Sequence, residues 1–187
     1  YDEALLGKVG DDTLTGVAGT KKRHDEFYGH EGNDTINNAA GGKSWIEAGD
    51  GNDIITGGAK EDIIRGQNGD DAIDGGDGND TLDGGDGNDT LKGGNGNDTI
   101  KTGAGDDKVY GEAGDDIIIQ NGSGTQTYDG GSGTDTLKVD TSGGWAGTLN
   151  KDYPISIEVN MTTGIVGQTN NPNLSLIHIS EPTRRYS

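Results

Sequence analysis

The sequence contains no cysteine, three prolines and a single phenylalanine. Without cysteine, neither a disulfide framework nor a thiolate metal site can form. Three prolines against 37 glycines in 187 residues exclude a proline-rich linker and a collagen repeat. Hydrophobic residues make up only 27% and aromatics 5%, which is too little for an ordinary globular core. No run of 18 apolar residues occurs, so no membrane-spanning helix is predicted.

Basic residues are also scarce, with 14 Lys and Arg against 33 Asp and Glu and a formal net charge of −19. A surface of this charge repels nucleic acids and anionic membranes and attracts cations. We therefore expect no nucleic-acid partner and a chemistry based on small cations.

The abundant residues form a nine-residue repeat. Gly75 to Lys101 reads GGDGNDTLDGGDGNDTLKGGNGNDTIK, three copies of the pattern G-G-x-G-x-D-x-U-x with U a large apolar residue. Eight copies run without a gap from Ala48 to Ile119, and a random Gly/Asp-rich linker would not keep such a phase. The other six copies, of which 39–47 and 121–129 are degenerate, cover residues 7–15, 16–28 with four extra residues at 20–23, 29–37, 39–47, 121–129 and 130–138.

Three columns of this frame hold across the fourteen copies. The sixth position is Asp in all but Ser44 and Gln126, and the fourth is Gly in all but Lys60. The eighth, U position is always apolar or aromatic, which predicts the core. Its residues are Leu14, Phe27, Ile36, Ile46, Ile55, Ile64, Ile73, Leu82, Leu91, Ile100, Val109, Ile118, Tyr128 and Leu137.

Each copy divides into a glycine turn and a short strand. The turn needs backbone angles that glycine adopts most easily, and the triplet x-U-x alternates polar and apolar as a strand with one buried face does. Two copies would close one coil, so the array predicts an all-β parallel β-roll of about seven coils over residues 7–138. Residues 139–173, which include Trp145 and Tyr153, are expected to form a short β-rich cap at its C-terminal end.

Hydrophobic burial alone should not hold this roll together. One buried apolar side chain in nine residues is little against the entropy of ordering a glycine-rich chain. Stacking also brings like-charged aspartates within about 5 Å of each other. The sequence therefore predicts a bound divalent cation.

Calcium fits best, because it takes six to eight oxygen ligands from carboxylates and backbone carbonyls. Zinc and copper would require imidazole or thiolate, and magnesium requires a small octahedral shell. We predict about six to nine ions, each between two turns that are eighteen residues apart. One edge of the roll would carry Asp53, Asp71, Asp89 and Asp107, and the other would carry Asp62, Asp80, Asp98 and Asp116. The additional candidates toward the ends are Asp12, Asp34 and Asp135, and the carbonyl candidates are Gly51, Gly69, Gly76, Gly78, Gly85, Gly87, Gly94, Gly96, Gly105 and Gly114.

The copies GGDGNDTLD, GGDGNDTLK and GGNGNDTIK resemble the RTX (repeats-in-toxin) or haemolysin-type calcium-binding repeat at every defined position. The resemblance covers Gly7 to Lys138 and implies a right-handed, calcium-dependent parallel β-roll. It also implies a secreted bacterial protein that leaves the cell by type I secretion and folds in extracellular calcium. The expected function is a calcium-binding module that supports secretion and the stability of a neighbouring domain.

The parent protein stays open at this stage. One alternative is the C-terminal part of a secreted protease, lipase or alginate epimerase, and another is a pore-forming toxin or an adhesin that contacts a cell surface or polysaccharide. The array itself offers no nucleophile with a partnered base, so the fragment is not expected to be an enzyme. His24 and His30, beside the insertion at 20–23, are better explained as residues of a solvated loop than as acid–base catalysts.

Two other motifs fail on spacing. Gly41-Gly42-Lys43-Ser44 lacks the earlier glycine of a phosphate-binding loop, and Asp86-Gly87-Asn88 lacks the next ligand and the helices of an EF-hand. Ice binding is a further alternative, because some arrays that resemble this one carry outward rows of Thr and Asn on their turns. Here the third turn position is never threonine, which argues against a flat ice-binding face.

The two ends of the chain suggest a fragment. The sequence begins at Tyr1 without a methionine or a visible signal peptide. Near the other end, LSLIHISEPTR (Leu174 to Arg184) resembles a translated sequencing adapter. We therefore expect residues 174–187 to be an artefactual tail and assign no function to them.

Overall fold

The computed structural model describes residues 4–16 and 24–140, together with the backbone of three strands at 148–149, 155–160 and 177–180. Every regular element in these residues is a β-strand. The odd-numbered strands and the last one form a ten-stranded sheet. In spatial order its strands are β1 (Ala4–Leu6), β3 (Asp25–Glu31), β5 (Ser44–Asp50), β7 (Ile63–Asn68), β9 (Thr81–Asp86), β11 (Thr99–Ala104), β13 (Ile117–Gln120), β15 (Asp135–Asp140), β17 (Ile155–Asn160) and β18 (Ile177–Ser180).

The other strands form an eight-stranded sheet, and every pairing in both sheets is parallel. The chain crosses from one sheet to the other at each turn, so two repeats make one coil. The all-β parallel roll of about seven coils is thus confirmed. The second sheet consists of β2 (Thr13–Thr15), β4 (Thr35–Asn37), β6 (Ile54–Thr56), β8 (Ala72–Asp77), β10 (Thr90–Asn95), β12 (Lys108–Ala113), β14 (Thr127–Asp129) and β16 (Thr148–Leu149).

The core is a single seam between the two sheets. All fourteen U residues are buried, and the least buried of them, Leu14, is only 9% exposed. Register explains this, because Leu82 pairs with Ile64 on one side and with Ile100 on the other, so that U residues stack on U residues. Ala48 and Val139 complete the buried apolar set of the described residues.

Strands β7 to β12 have six residues each, twice the length that the sequence predicts. The expected triplet Thr81-Leu82-Asp83 is only the first half of β9, which runs on to Asp86. The extension forms because Gly85 and Asp86 also pair in register with residues of the coils before and after them. Turn residues therefore take part in the same parallel ladder as the strand triplets.

The outer face of the first sheet carries short ladders of opposite charge. Arg65 lies 3.0 Å from Glu47 one coil earlier, and its guanidinium stacks 4.9 Å from the centre of the Trp45 ring. Lys101 lies 3.7 Å from Asp83 in the same way. These half-exposed contacts add little stability each, so the register is set mainly by the seam and the turns.

Beyond the repeats the backbone continues the stack. Strand β16 pairs with β14, β17 pairs with β15, and β18 pairs with β17. The boundaries at 138/139 and 173/174 and the artefactual origin of the tail stay predictions. The insertion at 20–23 lies outside the described residues. Among the residues that the structure describes, none forms a helix of the length and apolarity that a membrane crossing needs.

Candidate metal centre

The sixth-position aspartates form two columns, one along each edge of the roll. Each predicted Asp stands at the end of its glycine turn, directly before a strand or, for Asp135, at its first residue. In nine of the eleven, the backbone N–H donates to Oδ1 of the Asp in the next coil. Asp71 N–H donates to Asp89 Oδ1 at 2.9 Å, for example, and Asp80 N–H donates to Asp98 Oδ1 at 2.7 Å. The eighteen-residue stacking of the aspartates is therefore present on both edges.

The second oxygen of these carboxylates is what singles the columns out. In nine of the eleven predicted aspartates, Oδ2 is buried and has no hydrogen-bond partner in the described part of the chain. A buried carboxylate oxygen without a partner is costly, so each one marks a place where a positive group is missing. The nine are Asp34, Asp53, Asp71, Asp80, Asp89, Asp98, Asp107, Asp116 and Asp135.

Asp12 and Asp62 differ from the other nine. Oδ2 of Asp62 accepts the N–H of Gly58 at 2.5 Å, while its Oδ1 accepts both the N–H and the hydroxyl of Ser44. Oδ2 of Asp12 accepts the N–H of Lys8 at 2.5 Å. The sequence marks Asp62 as a weaker candidate because Lys60 replaces a glycine beside it, but Lys60 is exposed and the donors come from elsewhere.

Backbone oxygens lie beside the unpartnered carboxylate oxygens. A Cβ added to Gly84 would meet both Asp89 Oδ2 and, at 2.5 Å, the carbonyl oxygen of Thr102 in the next coil. Gly66 has the same surroundings, Asp71 Oδ2 and the carbonyl oxygen of Gly84. A missing side chain at the first turn position thus leaves room where a carboxylate and a carbonyl oxygen converge.

The predicted glycines share the backbone conformation that this arrangement requires. All ten have φ between +97° and +145°, which a residue with a side chain rarely adopts. At the fourth position, the carbonyl oxygen of Gly69 faces Gly87 of the next coil, and that of Gly87 faces Gly105. These carbonyls therefore point along the stack, into the interval between successive turns.

Burial without a cation disfavours the charged form of these carboxyls. The pKa is raised to about 7 in Asp71, Asp80, Asp89 and Asp98. Desolvation by burial is the largest cause, and neighbouring carboxylates act in the same direction. The hydrogen bond that each carboxylate accepts from a backbone N–H lowers the pKa but does not cancel these effects. Burial is also the main reason that the pKa of Asp116 is raised to about 6. The pKa values of Asp53, Asp62, Asp107 and Asp135 are also raised, first of all by burial.

The donor set suits a hard cation that accepts carbonyl ligands. In the described part of the chain, no group of three or more His, Cys, Asp or Glu side chains converges on one point. Each interval between turns in this part of the chain therefore supplies at most two carboxylates, and the remaining ligands must be backbone oxygens. Calcium accepts such a set, whereas zinc and copper would require imidazole or thiolate ligands. The residues present therefore fit calcium.

The repeat columns also identify the family. The family model of the RTX calcium-binding nonapeptide repeat, in four copies, matches residues 22–42, 47–82 and 83–118. The chain belongs to the RTX calcium-binding repeat family. RTX repeats bind calcium in secreted bacterial proteins, and an RTX solenoid is a structural repeat domain rather than a catalytic one. No curated protein matches the chain.

The two histidine candidates lie in or next to β3. His24 lies 3.0 Å from Glu26 at the edge of β3, with its side chain 36% exposed. His30 is exposed within the same strand.

Sequence analysis missed a second set of side chains at the fifth turn position. There, Asn52 Oδ1 accepts the N–H of Asp70, and Asp70 Oδ1 accepts the N–H of Asn88 one coil later. The same bonds continue from Asn88 to Asp106. The alternation of Asn and Asp every eighteen residues was the available signal, because it keeps like charges from stacking directly.

Proposed function

We propose that this chain is a calcium-loaded RTX module that folds when extracellular calcium enters the two aspartate columns. The observation that supports it is the row of nine buried carboxylate oxygens without hydrogen-bond partners. Six of them, in Asp34, Asp71, Asp80, Asp89, Asp98 and Asp116, lie beside a backbone carbonyl oxygen of the next coil. A calcium ion between successive turns would supply the charge that these oxygens lack.

Asp53, Asp71, Asp89 and Asp107 would hold the ions of one edge, and Asp62, Asp80, Asp98 and Asp116 those of the other. Asp34 and Asp135 extend the two columns toward the ends, and Asp12 extends the first column with a weaker site. The ion would bridge neighbouring coils electrostatically, while the turn glycines let carbonyl oxygens approach it. Six to nine ions follow from the pairs of aspartates in successive coils.

Coupling of metal binding to folding gives the module its role in secretion. In low cytosolic calcium the aspartates repel one another and the chain stays unfolded, which suits export through a narrow channel. Outside the cell, calcium at about 10⁻⁴–10⁻³ M would fold the roll and stabilise a neighbouring domain.

Circular dichroism during a calcium titration tests this function. We expect little β-signal in chelator and a cooperative gain on adding calcium, with magnesium much less effective. Asp89→Asn keeps the shape of the side chain but removes a charge from a column. It should raise the calcium midpoint by about tenfold or more, because tenfold is equivalent to about 1.4 kcal/mol, close to the lower end of the value of a charge-assisted contact.

Asp86→Asn is the matched control, because Asp86 is exposed and three residues away and undergoes the same change of charge. Its midpoint should stay near that of the parent chain. If both variants shift the midpoint equally, net charge rather than the aspartate column governs calcium binding. If the chain is fully folded in chelator, the proposed function is wrong.

A further inference from the structure

Two turns of the roll contain an extra residue, and in both cases it is a buried amide. Asn38 precedes the degenerate copy 39–47 and Gln120 precedes the degenerate copy 121–129. Both side chains are 0% exposed. The same two copies lack the sixth-position aspartate, which Ser44 and Gln126 replace.

The structure places each extra amide at the first position of its turn, where most repeats have glycine. Asn38 N–H donates to Thr56 O, and Gly57 N–H makes the equivalent bond to Asp74 O one coil later. Gln120 follows Ile119 in register with Lys101, so it occupies the place of Thr102. In regular repeats this is the position whose missing side chain leaves space beside the aspartate Oδ2.

In these turns the amides donate hydrogen bonds to turn carbonyls. Asn38 Nδ2 donates to Gly42 O at 3.2 Å, and Gln120 Nε2 donates to Gly122 O at 3.0 Å. Gln126, at the aspartate position, donates from Nε2 to Gly105 O of the preceding coil at 2.9 Å. Gly42 and Gly105 are fourth-position glycines, whose carbonyls point between coils in the regular array.

The amide oxygens are not what holds these side chains in place. Asn38 Oδ1, Gln120 Oε1 and Gln126 Oε1 are buried and have no hydrogen-bond partner among the described residues. Only the NH₂ groups of these amides form hydrogen bonds, and each donates to a backbone carbonyl oxygen. A buried NH₂ group with its partial positive charge thus stands where regular turns direct oxygens at a cation.

The neighbouring aspartate supports the same interpretation on the other edge. Asp62 faces the turn of Ser44, and its carboxylate accepts hydrogen bonds from Ser44 N–H, Ser44 Oγ and Gly58 N–H. In nine of the other predicted aspartates Oδ2 has no such donor in the described part of the chain, and Asp12 is the exception. Next to the altered turn, protein donors therefore occupy both carboxylate oxygens.

We propose that these two turns are built to close without calcium, with the amide NH₂ groups of Asn38, Gln120 and Gln126 taking the place of the ion. This inference rests on the proposed function, since it concerns which intervals of a calcium-loaded roll stay free of metal. One column then ends at Asp107, and the other is interrupted before Asp62. No ion lies between Asp107 and Gln126 or between Ser44 and Asp62.

Counting bound calcium in the full chain tests the proposal. The double variant Gln120→Gly with Gln126→Asp gives the turn the residue types of a regular repeat. We expect it to bind one more calcium ion per chain than the parent, by equilibrium dialysis and by native mass spectrometry at saturating calcium. The equivalent double variant at the other turn, Asn38→Gly with Ser44→Asp, should also gain one ion.

Gln126→Leu is the matched control, because it keeps a similar volume but removes the NH₂ donor. It should bind as many ions as the parent and unfold at a lower temperature in saturating calcium. If Gln126→Leu loses an ion, Gln126 is a calcium ligand and the proposal is wrong. If both double variants bind calcium in the parent's number, the amides do not occupy ion positions, which also overturns it. A parent chain that takes up no calcium instead contradicts the proposed function itself.

Discussion

In nine aspartates of the two columns, the two carboxylate oxygens have different surroundings. In Asp89, Oδ1 accepts the N–H of Asp71 at 2.9 Å and fixes the spacing of the coils, while Oδ2 is buried without a partner. The first contact stabilises the stacking of the coils, and we propose that the second oxygen binds the ion. A single residue type at the sixth position can therefore both set the register and supply charge.

Glycine at the first turn position keeps the space around Oδ2 free, so adding a single methyl group at this position tests whether that space is needed. A Cβ on Gly84 would meet Asp89 Oδ2 and the Thr102 carbonyl oxygen, and Gly84 does not have the positive φ that would strain a side chain by itself. We expect Gly84→Ala to weaken calcium binding, raising the midpoint of the folding titration by about tenfold or preventing folding.

Gly42→Ala is the control for this change. A Cβ on Gly42 would meet only the Lys60 side chain, at 3.9 Å. Its calcium midpoint should equal that of the parent. A Gly84→Ala chain that also titrates like the parent would show that the space beside Oδ2 is not a calcium site.

Strand β6 shows how one element divides its residues between core and solvent. Ile54 and Ile55 are adjacent, yet Ile54 is 57% exposed and Ile55 only 1%. The period of two along a strand explains the difference, since successive side chains point to opposite faces. The same Ile→Ala substitution at these two neighbouring positions therefore compares the buried face of the strand with its exposed face.

Ile55→Ala should lower the free energy of unfolding of the calcium-loaded chain by about 2–5 kcal/mol, because it opens a cavity in the seam between sheets. Ile54→Ala should change it by no more than about 0.5 kcal/mol. Urea unfolding in saturating calcium measures both values. Equal effects of the two substitutions would mean that the seam contributes no more than the outer face.

At the scale of elements, much could be predicted from the sequence and some could not. The nine-residue period with U at the eighth position was enough to predict all fourteen core residues and the parallel two-sheet roll. The longer strands were missed, because turn residues pair only once the neighbouring coils are in register. Asn38 and Gln120 looked like insertions between copies, and only the stacked structure shows that their side chains fill turn positions.

For the candidate site, sequence alone predicted the eighteen-residue spacing of the aspartates on two edges. It did not predict that one carboxylate oxygen accepts a backbone N–H while the other is buried without a partner in nine of the aspartates. Nor did it predict that Oδ2 of Asp12 and Oδ2 of Asp62 each accept a backbone N–H. Those features depend on hydrogen bonds between residues of different coils, which a repeat pattern does not specify. Metal ligation by these residues stays a prediction.

The whole molecule combines a narrow core with a net charge of −19. Burial of the aspartates raises the pKa of four of them to about 7, from about 4 in an unfolded chain. A carboxyl whose pKa is higher in the folded state binds protons more tightly there, so protonation favours the metal-free fold. That contribution is complete below about pH 4 and is lost as the pH rises through about 7.

In the presence of a chelator, we therefore expect β-signal to increase as the pH falls from about 8 toward 4.5, and to disappear again on return to pH 8. In the presence of calcium the dependence should reverse, with weaker calcium binding at lower pH because protons compete for the same oxygens. Circular dichroism at fixed total calcium, or with none, measures both. A metal-free chain whose β-signal grows with rising pH would contradict the burial of these carboxyls.

Across the whole roll, we propose that cations between successive coils provide the stability that a larger hydrophobic core provides in an ordinary globular domain. Amide hydrogen exchange of the strands in the presence and absence of calcium tests it most directly. With calcium, the N–H groups of β7 to β12 should exchange slowly. After exhaustive chelation at pH 8, we predict exchange near the rate of an unfolded chain, whereas persistent protection of those strands would contradict the claim.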